Sequence, residues 1–129
     1  MAKILKPHHR RPRSLGGSNS SYNKSWVEED LHNAWHVIFG NMNAYQIANH
    51  INSFGVPYKP ENVYVFSRFI NGEEVLKCGS SNKNISKKDS KIRSSWHKLF
   101  KNMNFEYTVY FINNVWLDPS YHLYVRKLF

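Results

Sequence analysis

The segment NKSWVEEDLHNAWHVIFGNMNAYQIANHIN, residues 23–52, recurs in diverged form as NISKKDSKIRSSWHKLFKNMNFEYTVYFIN, residues 84–113. The offset is a constant 61, as from Trp35 to Trp96. Asn23, Trp35, His36, Phe39, Asn41, Met42, Asn43, Ile51 and Asn52 fall on Asn84, Trp96, His97, Phe100, Asn102, Met103, Asn104, Ile112 and Asn113. Two unrelated helices of similar composition do not hold this many identities in register, so a repeated unit is expected. A chain of 129 residues then has room for one domain, or for two very small units sharing a core. The division expected here is 1–58 and 61–129, with the junction at Pro57 to Pro60.

The common part of the repeat predicts two helices. Leu31, Trp35, Ile38 and Met42 form one apolar stripe, and Ile92, Trp96, Leu99 and Met103 repeat it. Trp35 and Trp96 therefore read as core residues. Gly40 suits the end of the first helix, and Asn43 and Asn104 suit the N-caps of the helices that follow. Glu28, Glu29 and Asp30 fit a first turn, where the helix dipole favours acids. Ahead of each pair the chain looks extended. VYVFSRFI-NG-EEVLKCG has the Asn71-Gly72 signature of a type I′ hairpin. Its counterpart would join Pro7–Arg10 to Asn23–Val27 through a loop in which Gly16 and Gly17 both permit positive φ. The closing HLYVRKLF reads as a strand or a helix.

Eighteen Lys and Arg against nine Asp and Glu give a net charge of +9, unevenly distributed. Residues 1–24 hold Lys3, Lys6, Arg10, Arg11, Arg13 and Lys24 and no acid, while Lys83 to Lys101 holds seven bases and only Asp89. With aromatic residues at 16%, two such clusters point to nucleic acid, DNA or RNA, ahead of a merely solvated surface or an anionic membrane. Arg10, Arg11, Arg13, Lys87, Lys88 and Lys91 are the residues expected on phosphate. No stretch approaches the roughly 20 apolar residues of a membrane span. The first residues lack the apolar core of a signal peptide, and Cys78 is alone, so a cytoplasmic location is expected.

The stretch KPHHRRPRSLGGSN carries the chemistry. Adjacent residues on a strand point to opposite faces, so His8 and His9 should differ in role. His32 and His36 are i, i+4 on one helix face. Two helical imidazoles and one from a facing strand make a three-nitrogen shell for a divalent cation with a position left open. His50, His97 and His122 read as ordinary satisfied polar residues, and Cys78 as a small buried one.

In order and spacing this resembles the HNH, or ββα-metal, endonucleases, most of all the His-rich version in colicin DNases. The matching elements are paired His, a proline and paired glycines in the loop, an Asn, a His nine residues on and another four later. Two positions before the pair, where that pattern has glutamate, this chain has Lys6. The resemblance covers about residues 6–52 and implies an α+β fold, with an HNH-like hairpin-plus-helix unit duplicated in one small mixed domain. It implies His9 as general base, His8, His32 and His36 as ligands, and Asn23 either orienting the base or holding the loop. One divalent ion would be bound, Zn²⁺, Ni²⁺, Mn²⁺ or Mg²⁺, and the activity would be hydrolysis of DNA phosphodiesters. The second half has Phe69-Ile70 near the His-pair position and Arg93 in place of His32, so it would be a scaffold or a binding half. The competing expectation is a non-catalytic protein bound to structured RNA such as rRNA, with the His cluster only a structural staple.

Overall fold

The computed structural model describes residues 4–53, 62–70, 73–78, 90–101 and 103–126. Within them the chain is a small mixed α+β domain. Strands β1 (Leu5–His9) and β2 (Lys24–Glu28) form an antiparallel hairpin, followed by helices α1 (Glu29–Ile38) and α2 (Ala44–Ser53). Then come β3 (Asn62–Ile70), β4 (Glu73–Cys78), α3 (Ser90–Phe100), α4 (Phe105–Phe111), a π-helical turn (Ile112–Trp116) and β5 (Tyr121–Arg126). The second sheet is antiparallel with β3 between β4 and β5, so HLYVRKLF contributes a strand. The Pro57 to Pro60 junction, the Asn71-Gly72 turn, Asn84, Lys87, Lys88 and the side chain of Cys78 lie outside the described residues.

The core runs through both halves. Trp35, Ile38, Phe39, Ile47, Ala48 and Ile51 from α1 and α2 meet Trp96, Leu99, Phe100, Val109, Ile112 and Trp116, with Val63, Val65 and Leu123 from the sheet. Leu31, Met42, Ile92 and Met103 close its margins, so both apolar stripes pack inward as their spacing requires. Helices α1 and α3 pack on each other. Trp35 stacks on Trp116, centroids 4.9 Å apart and planes inclined by 10°.

Local geometry recurs at the same offset in the helical parts. Gly40 and Lys101 both have positive φ, 54° and 48°. Gly40 N–H donates to the His36 carbonyl and Lys101 N–H to that of His97. Asn43 Oδ1 accepts from Gln46 N–H and Asn104 Oδ1 from Tyr107 N–H, so both asparagines cap as expected. Asn52 Oδ1 accepts from Val63 N–H on β3, and Asn113 Oδ1 from Leu123 N–H on β5. The hairpins do not keep the offset. Positions 61 beyond β2 are 85–89, outside the described residues, whereas β4 occupies Glu73–Cys78.

The paired left-handed positions give a test. At Lys101 a side chain is held where L-residues lose about 1–2 kcal/mol, while a glycine costs about 0.4–1 kcal/mol through the unfolded chain. Lys101→Gly should therefore stabilise by about 0.5–1 kcal/mol in urea unfolding. Gly40→Ala should cost about 1 kcal/mol, because space exists for the methyl group (nearest atom the His36 carbonyl oxygen, 3.9 Å) and only the backbone is strained. Loss of stability in Lys101→Gly would contradict the conformation.

Candidate metal centre

Strand register separates the two adjacent histidines. His8 faces Ser25 and His9 faces Lys24 across the hairpin, so His8 shares the inner face with Val27 while His9 lies on the face of exposed Trp26. His8 is 3% exposed and sits edge-on to Trp35 and Trp116, ring centroids 5.9 and 5.0 Å away. Its Nε2 is 2.9 Å from the Trp116 carbonyl. A carbonyl only accepts, so Nε2 carries the hydrogen and Nδ1 keeps its lone pair. That Nδ1 is buried and has no hydrogen-bond partner.

Helix α1 brings the other two imidazoles to the same place. His32 Nε2 and His36 Nε2 are 3.1 Å apart, and one nitrogen from each of His8, His32 and His36 lies within 4.8 Å of the others. With metal–nitrogen bonds of about 2.0–2.1 Å, tetrahedral ligand nitrogens stand roughly 3.3 Å apart. The donor set therefore fits one divalent cation after a small contraction. A buried imidazole acceptor with its opposite N–H on a carbonyl is also how metal-binding histidines are usually held. Among the described residues no other such cluster occurs. At the corresponding places in α3, Arg93 and His97 are exposed.

Burial favours the neutral, ligating form of all three. It lowers His8 from 6.5 to about 4, against the Trp116 hydrogen bond and with help from the neighbouring His36, His32 and Arg10. His32 is lowered by burial and then by His36 and Lys6, while Glu29 opposes. His36 is lowered by burial, with the Gly40 hydrogen bond opposing. Lys6 itself pairs with Glu29 at 3.5 Å, both half-exposed.

His9 stays outside the trio but borders the same cleft of about 330 Å³, with His8, His32, His36, Arg13 and Asn41. Its Nε2 is 2.8 Å from Asn19 Oδ1. Asn19 carries no sequence signal beyond lying in a polar turn, so sequence reasoning missed it. Asn23 takes the second of its two expected roles, holding the loop: Oδ1 accepts from Arg11 N–H, and Nδ2 donates to the carbonyls of Arg11 and Ser18. Gly16 has the expected positive φ of 87°. Gly17 does not, and is needed for space instead, since a Cβ there would lie 1.8 Å from the Arg11 carbonyl oxygen.

The arginine run divides. Arg10 turns inward: Nε donates to the Leu117 carbonyl at 2.8 Å and an Nη to that of Asn113 at 2.6 Å. Arg11 Nε donates to the Leu15 carbonyl and lies 3.7 Å from Asp118. Arg13 is exposed on the cleft rim, and exposed Lys91 borders a groove between α1 and α3 with Asn33, Ser94 and Lys98. No helix among the described residues is long and apolar enough to cross a membrane. Comparison with known proteins gives no match: no family model, curated protein or solved structure is similar to this chain.

Two measurements test this geometry. The folded-state pKa values of His8, His32 and His36 lie below the unfolded value, so the unfolded chain binds more protons in that window. Metal-free protein should hold its full stability above about pH 6.5 and lose it as pH falls toward 4. His8 alone accounts for a loss on the order of 3 kcal/mol. Equal urea midpoints at pH 7.5 and 5 would contradict it. In the loop, Gly17→Ala should cost about 3 kcal/mol or more, because backbone must move, and Gly16→Ala only about 1 kcal/mol.

Proposed function

We propose that the chain is a metal-dependent endonuclease of the HNH type, hydrolysing phosphodiester bonds of nucleic acid, DNA foremost, in the cytoplasm. In this reading His8, His32 and His36 hold one divalent cation and His9 is the general base. The observation that carries the reading is the division of labour within His8-His9. The first places an unpartnered acceptor nitrogen beside two helical imidazoles. The second borders the same cleft without joining them and has its own polar partner, Asn19.

The chemistry follows from that arrangement. His9 takes a proton from a water molecule, whose oxygen attacks phosphorus while the bond from phosphorus to the 3′ oxygen breaks, and the departing oxygen takes a proton from solvent to leave as a hydroxyl. His8, His32 and His36 would hold the cation, which would supply positive charge for the phosphate and the departing oxygen. Asn19 orients the imidazole, and Arg13 at the rim meets a neighbouring phosphate. Three imidazoles are borderline ligands and favour Zn²⁺, Ni²⁺ or Mn²⁺ over Ca²⁺. The second half is read as a diverged copy of the first, supported by the recurrence of caps and left-handed positions at one offset. It has lost the ligands and kept basic residues such as Lys91 for binding.

A plasmid-nicking assay with Mg²⁺, Mn²⁺, Ni²⁺ and Zn²⁺, run beside DNA-binding and metal analysis, tests the reading. His9→Ala should cut roughly 10²–10⁴-fold more slowly with metal content and DNA affinity unchanged. His32→Ala with His36→Ala should lose the metal. If the parent binds DNA but cuts with none of the four ions, the non-catalytic reading replaces this one. If His9→Ala cuts as fast as the parent, the base is misassigned.

A further inference from the structure

Arg10 lies in the run of bases that sequence reasoning assigns to phosphate, yet it spends its donors inside the protein. Its two acceptors, Asn113 and Leu117, flank Trp116, whose carbonyl accepts from His8. All three carbonyls belong to the π-helical turn or to the residue on either side of its last four positions. There the wide i→i+5 bond from Leu117 N–H to the Ile112 carbonyl leaves the intervening carbonyls free to accept from side chains. A fourth, that of Val115, accepts from Ser25 Oγ on β2. Side chains of the first hairpin and of Arg10 just after it thus hold one turn of the second half at four points.

We infer that Arg10 is a positioning residue of the metal centre. By bracing the turn on both sides of Trp116, it aims the Trp116 carbonyl at His8 and so keeps the hydrogen on Nε2 and the lone pair of Nδ1 toward His32 and His36. The two halves of the chain then divide the centre between them. The first supplies all three imidazoles, and the second supplies the carbonyl that decides which nitrogen of His8 is available.

A guanidinium suits this task better than an ammonium. Its donors are fixed in one plane, so two carbonyls at a set separation determine its orientation, whereas an ammonium meets one strongly and swings about it. Outer contacts of this kind are worth about 10–100-fold in metal affinity when removed. The inference rests on the metal centre proposed above, but its central link, from Arg10 through Trp116 to His8, exists without an ion and is measurable without one.

The experiment compares Arg10→Ala and Arg10→Lys with the parent in three respects. In EDTA, ¹⁵N NMR of the His8 ring reads its tautomer. Titration with Zn²⁺ reads the affinity, and DNA binding in EDTA across a salt series reads phosphate contacts. The parent should show one tautomer, hydrogen on Nε2. Arg10→Ala should show a mixture and bind Zn²⁺ about 10–100-fold more weakly, with its salt slope unchanged. Arg10→Lys should fall between them, and it carries the test if Arg10→Ala does not fold. A folded variant with the parent's tautomer and Zn²⁺ affinity overturns the inference. So does a salt slope reduced by about one unit at unchanged Zn²⁺ affinity, which would make Arg10 a phosphate ligand. A parent that binds no Zn²⁺ removes the proposed metal centre while the tautomer comparison still decides the role of Arg10.

Discussion

The hydrogen bond from His8 to the Trp116 carbonyl is the constraint around which the molecule is arranged. Burying a neutral imidazole is tolerable when both nitrogens find partners. Here only one does. Leaving an acceptor buried and unpaired costs about 1–3 kcal/mol, and that cost falls on a ring with a nitrogen within 4.8 Å of His32 and His36. Strand alternation then sends His9 to the other face of the hairpin. The aromatic walls given by Trp35 and Trp116 keep water from His8 and hold its ring edge-on.

The C-terminal turn that supplies this carbonyl is unusual in what it leaves open. Helix ends carry carbonyls without partners, and most are met by water or by capping residues. In this chain the carbonyls of Asn113, Val115, Trp116 and Leu117 are met by Arg10, Ser25 and His8 from the opposite end of the sequence. The end of the fourth helix is therefore also the surface on which the first hairpin docks. Asn113 adds a second anchor, since its side chain both accepts from and donates to the Leu123 backbone. Asn52 makes the matching contact with Val63. Two of the repeated residues are thus explained by the strands they fasten.

What was legible in the sequence is what depends on near neighbours. The stripes of Leu31/Trp35/Ile38/Met42 and Ile92/Trp96/Leu99/Met103, the caps at Asn43 and Asn104, and the turn at Gly40 all follow from spacing or from one residue's preference. The pairing of His32 with His36 is equally local, and alternation along a strand suffices to separate His8 from His9. The rest needed partners far away in the chain. Arg10 reads as surface because its acceptors are backbone carbonyls more than a hundred positions later, and carbonyls have no side-chain signature. Asn19 rather than Asn23 meets His9 because Asn23 is occupied by the loop backbone. Gly17 was read as permitting a positive φ, and what it supplies is clearance beside the Arg11 carbonyl.

The charge of the trio bears on the proposed reaction. Three neutral imidazoles neutralise nothing, so a divalent cation among them keeps its full charge, unlike one held by carboxylates. Among the neighbours, Glu29 acts on His32 but is itself paired with Lys6. Arg13 adds further positive charge at the rim of the cleft. Among the described residues none that lines the cleft carries a carboxylate, so an anionic oxygen of a bound partner would suit the remaining charge. A phosphate beside Arg13 would provide it within the cleft that His9 and the trio border. Burial shifts His8, His32 and His36 toward the neutral form, so the trio brings little positive charge of its own. On this argument nucleic-acid phosphate and the cation should reinforce each other's binding, since each supplies the charge that the other lacks.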